Sequence, residues 1–333
     1  ERPTGEISLT AGLGTTGETL GGGIRENNFL GKGIRLDTNI ELTPDSIKGK
    51  FIYSKPNFNY SENTLFTSFK SSNTDRIKDF GYETTDLGVS LGTKFEQFEN
   101  LFFSPELDIS LEDLKTTSAA STNLKKQAGN YEDFYFNYGL DYDLRNSPYK
   151  PSSGNKTSFY QTLPIVSSNN EIANTFIYTQ YKKLDTETDM VGKLSLYMKA
   201  VNSIDDSDVR ISKRAKMPYN RLRGFEREKI GPKDGDDYIG GNYITTLNFS
   251  TNLPGILSTM ENFDFSYFID IGNVWGVDYD SAVDQSNFIR SSTGFGLDWI
   301  TPIGPLSFSL TQPITKKSTD VTESFRFNLG TTF

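Results

Sequence analysis

Apolar side chains in this chain recur at every second position, in stretch after stretch from one end to the other. Ile7, Leu9, Ala11 and Leu13 alternate with Ser8, Thr10, Gly12 and Gly14, and Ile34, Leu36, Thr38, Ile40 and Leu42 alternate with Arg35, Asp37, Asn39 and Glu41. Further on, Phe263, Phe265, Tyr267, Ile269 and Ile271 oppose Asp264, Ser266, Phe268, Asp270 and Gly272. A period of two belongs to extended strands whose faces meet different surroundings, and helical spacing fits none of these runs. The last residues, ESFRFNLGTTF, do the same: Phe325, Phe327, Leu329, Thr331 and Phe333 fall on one side, with Ser324, Arg326, Asn328, Gly330 and Thr332 on the other.

Composition says what those two surroundings are. Aromatic residues make up 13% of the chain, with 25 Phe and 17 Tyr, yet hydrophobic residues total only 35%. A water-soluble core this rich in Phe would normally be completed with Leu, Ile, Val and Ala, whereas here Ser, Thr, Asn and Gly fill the alternate positions. No stretch approaches the roughly 18 apolar residues of a membrane helix. A membrane barrel remains open, because its lipid-facing residues occupy only every other position. A soluble sandwich would also alternate, but it leaves the Phe-rich faces and the terminal aromatic unexplained.

Strand beginnings are read near Gly5, Glu18, Gly33, Lys48, Ser61, Tyr82, Asn100, Tyr131, Lys156, Glu171, Met190, Asn242, Asn262, Phe288, Gly304 and Thr322. Sixteen is an even number, as single-chain bacterial barrels usually require, and it puts both termini on one side. The expected fold is therefore an all-β, 16-stranded antiparallel transmembrane barrel. Connections after even-numbered strands read as mostly short, and those after odd-numbered strands include the long ones, residues 116–130, 276–287 and above all 202–241. Short turns mark the periplasmic rim of such barrels and long loops the exterior.

The chain has no His and no Cys. That removes imidazole and thiol bases and nucleophiles, the common zinc sites, and the Ser-His pairs of outer-membrane lipases and proteases. No enzyme activity, cofactor or metal is expected. A net charge of −9 with no basic face speaks against a nucleic-acid partner.

The long loop contains RLRGFEREKIGPKDGDDYIGGN. Gly224 permits a tight turn and Phe225 offers an anchor, so that Arg223 between them could be aimed at a fixed partner; an ordinary solvated loop is the plainer reading. RLRGF, IGPK and GGN, then FIDIGNVW, SNFIRSSTGFGLDWITPIGPLSFSLTQP and the closing ESFRFNLGTTF together resemble the barrel of the BamA family, which folds and inserts outer-membrane proteins. The opening ERPTGEISLTAGLG and the turn NNFLGKG resemble the same barrel's first hairpin. The likeness is strongest over residues 221–333 and weak over 48–208.

The resemblance implies that residues 1–333 form one barrel domain, with the family's periplasmic POTRA repeats, absent from this stretch, joining at Glu1. It implies that the RGF tip folds back into the lumen and that Arg223 meets Asp270; the second acid of the family falls at Asn248, where an amide would supply only a neutral acceptor. It also implies a weak seam between first and last strands that opens toward the membrane, formed by Gly5, Ile7, Leu9, Gly12 and Gly14 against Phe325, Phe327, Leu329, Gly330 and Phe333. Gly330 would kink the last strand, and the terminal Phe333 would sit at the periplasmic interface. For the seam glycines, close packing at a tight barrel corner is the competing explanation. Expected partners are outer-membrane lipids, unfolded barrel clients and, through the POTRA repeats, periplasmic lipoproteins. A transport pore of the porin or two-partner secretion type is the alternative function.

Overall fold

The protein is described from a computed structural model covering residues 4–332, apart from 16, 186, 206, 255, 257–261, 279–282, 284–286 and 302–303. Its strands are β1 (Gly5–Gly14), β2 (Gly17–Phe29), β3 (Ile34–Thr43), β4 (Ser46–Lys55), β5 (Thr64–Arg76), β6 (Tyr82–Phe98), β7 (Leu101–Thr116), β8 (Gly129–Asp143) and β9 (Gly154–Ser167). They continue as β10 (Glu171–Lys183), β11 (Val191–Ser203), the two-residue β12 (Lys233–Asp234) and β13 (Asp237–Tyr238), then β14 (Tyr243–Asn252), β15 (Phe263–Trp275), β16 (Arg290–Thr301), β17 (Gly304–Thr315) and β18 (Phe325–Thr332). Sixteen of these, all but β12 and β13, close into one antiparallel barrel in which each strand pairs with its sequence neighbour and β1 pairs with β18.

The barrel is inside-out compared with a soluble protein. Ile7, Ile24, Phe51, Val89, Ile109, Leu247, Ile271, Phe295 and Leu310 are exposed, while Ser90, Glu112, Asp133, Ser195, Thr246, Asp270 and Ser292 are buried. The alternation explains the inversion: neighbouring residues such as Thr246 and Leu247 point to opposite faces, and the outer one meets lipid. Closure is what lets such a wall stand in hydrocarbon, where an unpaired strand edge would leave backbone groups with no water to bond.

The apolar core lies between the inner wall and the loops rather than within the wall. Ala215, Met217, Leu222, Phe225 and Ile230 from residues 204–242 pack with Ile244 and Val274. A second cluster joins Ile211 and Ile239 to Tyr82, Leu114, Ala120, Leu124, Val277 and Val283. The loops that meet here, 117–128, 204–242 and 276–289, all leave from one rim, as read from the sequence. The lengths do not segregate fully, however, because the same rim also carries the tight connections at 15–16 and 44–45. The opposite rim carries connections of middling length, 56–63, 144–153 and 253–262. Rim identity follows the deep loops, which bring their own apolar residues, and not every turn.

An arginine at the centre of an outward face should cost about 2–4 kcal/mol, while a lumen-facing exposed site should tolerate it. Leu247→Arg is therefore expected to lower the urea midpoint for unfolding from lipid vesicles, and Asn39→Arg to leave it nearly unchanged.

Candidate functional site

The loop 204–242 reaches side chains on ten of the sixteen barrel strands. Arg76 of β5 pairs with Glu228, the hydroxyl of Tyr82 on β6 accepts from Lys216, Ser195 of β11 accepts from Arg221, and Ser292 of β16 donates to the Arg223 carbonyl at 2.5 Å. A segment that touches walls facing one another across a closed cylinder runs through its interior.

At the tip, Arg223 grips Asp270 of β15 with both arms of its guanidinium, Nε to Oδ2 at 2.7 Å and Nη2 to Oδ1 at 2.8 Å. Its backbone N–H adds a third bond to Oδ2 at 3.1 Å, and the guanidinium stacks 3.4 Å from the ring centroid of Phe268. Asp270 is completely buried. A bidentate, charge-assisted pair fixes direction as well as distance. Gly224 turns the chain here at φ 89°, and a Cβ would lie 2.7 Å from Cγ2 of Thr311, so both conformation and space demand glycine. Phe225 is 2% exposed in the apolar cluster beneath the tip.

Asn248 joins this site in a different role from the expected one. Its Nδ2 donates to Asp270 Oδ1 at 2.8 Å and to the Arg221 carbonyl at 2.7 Å, so it is a donor to the acid and to the loop backbone and not a neutral acceptor for Arg223. Register puts it there: Asn248 lies directly opposite Asp270 across the β14–β15 pair. A glutamate in its place would give up both donated bonds and set a second carboxylate against the first.

The base of the loop holds a larger ionic cluster that sequence reading missed. Arg210 is fully buried, 2.7 Å from Asp133, 3.4 Å from Glu112 and 3.8 Å from Glu171, acids supplied by β8, β7 and β10. Its backbone N–H donates to Glu171 at 2.6 Å, its guanidinium lies 4.0 Å from the Tyr131 ring centroid, and Lys213 approaches Glu112 at 3.4 Å. The run of bases in DVRISKRAK was the available signal. Lys216, further along, is set among Tyr82, Phe80 and Arg76; removal from water, with the Arg76 charge adding to it, pushes its ammonium down to about 7.

The seam residues fall into two groups. Gly12, Gly14, Leu329 and Gly330 sit in the β1–β18 ladder, which pairs Thr10 with Thr332, Ala11 with Thr331, Gly12 with Gly330, Leu13 with Leu329 and Gly14 with Asn328. Gly5, Ile7, Phe325 and Phe327 lie outside that register, as does Leu9; Ile7 and Leu9 point outward and are largely exposed. Gly14 is a site of close approach, since a Cβ there would lie 2.8 Å from the Phe327 carbonyl. Gly330 is not: nothing lies within 4 Å of its Cβ position, and the β1 ladder passes through it without a register shift, whereas the ladder to β17 ends one residue earlier, at Leu329. Phe333 lies outside the described residues.

An outward-apolar cylinder with its lumen occupied by one of its own loops defines a plugged membrane β-barrel. Residues 28–333 match the Omp85 superfamily domain, and the chain belongs to that superfamily. It is 25% identical over 395 residues to the outer membrane protein assembly factor BamA of Neisseria meningitidis, an alignment taking in the whole chain and 47% of that protein. It is 22% identical over 347 residues to BamA of Neorickettsia risticii, covering 100% of the chain and 46% of that protein. The chain thus spans about half the length of these curated relatives. The crystal structure of BamA from Haemophilus ducreyi lacking POTRA domains 1–3 matches with a TM-score of 0.91 at 26% identity, over 100% of this chain and 71% of that one. CdiB from Acinetobacter baumannii matches at 0.62 and 11% identity, over 100% of this chain and 60% of that one, a likeness of fold alone. The chain is a barrel of the bacterial outer membrane.

Two outcomes test the loop's seat. Asp270→Ala strands Arg223 and should cost about 3 kcal/mol, as loss of one partner of a buried pair does, read as faster proteolysis of residues 204–242 in the folded barrel. The lowered Lys216 pKa has a definite sign. Between about pH 7 and its ordinary 10.5 the unfolded chain holds the extra proton, so the seated loop gains stability as pH rises through that window. Protease protection of the loop should increase from pH 6.5 to 9, and Lys216→Met should flatten the dependence.

Proposed function

We propose that this chain is the membrane domain of an outer-membrane protein assembly factor, a non-enzymatic insertase that works without ATP or metal. Unfolded barrel proteins are its clients, and surrounding lipid is its second partner. Both termini face the periplasm, where POTRA repeats elsewhere in the full protein would deliver clients and hold lipoprotein subunits. The similarity to BamA supports the reading, and the loop-filled lumen favours it over an open pore of the porin type.

The observation that carries it is the inequality between the seam and its neighbours. Among the described residues, β1 is registered with β2 along its whole length, Gly5 to Gly14, and with β18 from Thr10 to Gly14. On the other side, β17 registers with β18 only from Leu306 to Leu310. The residue before Leu306 is Pro305, which has no N–H to give, so that ladder has a built-in end. Gly5 to Leu9 of β1 have no registered partner on the β18 side among the described residues, and β-strand addition binds such an edge through main-chain hydrogen bonds without regard to client sequence.

The test is a lock. Cysteines at the paired positions Leu13 and Leu329 of the full-length protein, oxidised in vesicles, should stop client insertion, and reductant should restore it. Client insertion at the normal rate through a fully bridged seam would sink the proposal.

A further inference from the structure

The loop and the seam are joined, and the residue that joins them is Arg326. It lies on β18, 8% exposed on the lumen face, where a strand otherwise carries Asn, Gly and Thr. Its Nη1 donates to the Tyr219 carbonyl at 2.7 Å and its Nη2 to the Phe225 carbonyl at 2.9 Å, two points on opposite sides of the Arg223 tip. The guanidinium also lies 3.6 Å from the Tyr219 ring centroid and is ion-paired to Glu323.

The backbone repeats the connection. Phe225 bridges Thr322, Glu226 N–H donates to the Val321 carbonyl at 2.9 Å, and Glu323 N–H donates to the Gly224 carbonyl at 3.1 Å. The tip is thus paired with the segment leading into the last strand. Tyr219 then reaches the other side of the seam, its hydroxyl 3.1 Å from Oγ1 of Thr15 in the turn between β1 and β2. Thr15 in turn donates its N–H to the Phe327 carbonyl, the seam bond next to Arg326.

The geometry points to Arg326 and Tyr219 as positioning residues that make the seated loop a strap across the seam: with the tip on Asp270 the strap holds β18 to β1 at the Gly14 end, and freeing the tip frees the last strand. A planar guanidinium suits this task, since a single rigid fork serves two carbonyls that lie on different turns of the loop. Coupling then runs through one contiguous set of contacts, from Asp270 to Arg223, along Gly224 and Phe225, to Arg326 and the seam. The inference deepens the proposed function by naming what controls the seam, and rests on it only for the purpose of that control.

The experiment measures the seam itself. Spin labels at Thr10→Cys and Asn328→Cys of full-length protein, any other cysteine removed, are read by double electron–electron resonance in lipid vesicles, with heat-modifiable gel mobility confirming a closed barrel. The parent should give one narrow distance. Arg326→Met, which keeps the apolar stem over Tyr219, and Asp270→Asn should each add a longer, broader component, and the double variant should add no more than the larger single effect. Arg326→Lys should fail to restore the narrow distance, and Tyr219→Phe, which removes only the hydroxyl, should show the longer component at a smaller fraction in case the others fold poorly. A narrow distance in Arg326→Met overturns the proposal, as does a seam that responds to Arg326→Met but not to Asp270→Asn. None of these readings uses a client, so failed insertion through an unlocked seam would count against the assembly function and leave the strap standing.

Discussion

Everything in this molecule follows from the demand that backbone N–H and C=O groups in hydrocarbon find partners within the protein. Closure satisfies that demand, and sixteen strands paired neighbour to neighbour achieve it. The same demand makes the β1–β18 junction costly to weaken, so a short ladder there, beside a proline that ends the next one, is a departure that asks for a reason. The departure lies where a lipid-embedded wall can least tolerate it. A wall made everywhere of full-length ladders would be more stable and could not admit another strand.

The interior solves a different problem. A barrel this wide leaves a space that side chains alone do not fill, and residues 204–242 fill part of it with a small core of their own, anchored at Arg210 near its root and Arg223 at its tip. These anchors work because each positive group meets acids fixed on rigid strands. At Arg210 three carboxylates meet one guanidinium, with Lys213 adding a second cation. A buried guanidinium is costly unless it is paired, which ties the loop's path to the register of β7, β8 and β10.

The strand wall was legible because a period of two survives any loop length. Each observed strand start falls within about 3 residues of the one read from the alternation. Asp270 was legible for the same reason, since alternation alone placed it on the polar face. What alternation cannot supply is who meets whom across the lumen. Arg326 alternates in phase with Asn328 and reads as one more polar residue; only the path of a loop more than a hundred positions away brings two carbonyls onto its guanidinium. Asn248 was placed at the site but given the wrong polarity, because whether an amide offers its oxygen or its nitrogen depends on the groups that surround it. The rims were partly legible: deep loops carry apolar residues that betray them, whereas a two-residue turn can occur at either end.

The plug's reach also bears on how the barrel comes to exist. Tyr219 finds Thr15 across 204 positions of sequence, and Arg76 finds Glu228 across 152. Contacts so remote are slow to form, because loop-closure entropy is lost before they repay it. The first hairpin, the middle of the chain and the final strand must therefore arrive at one post before the cylinder is sound. Under the proposed function, a barrel that hastens this event for others begins as an especially demanding instance of it.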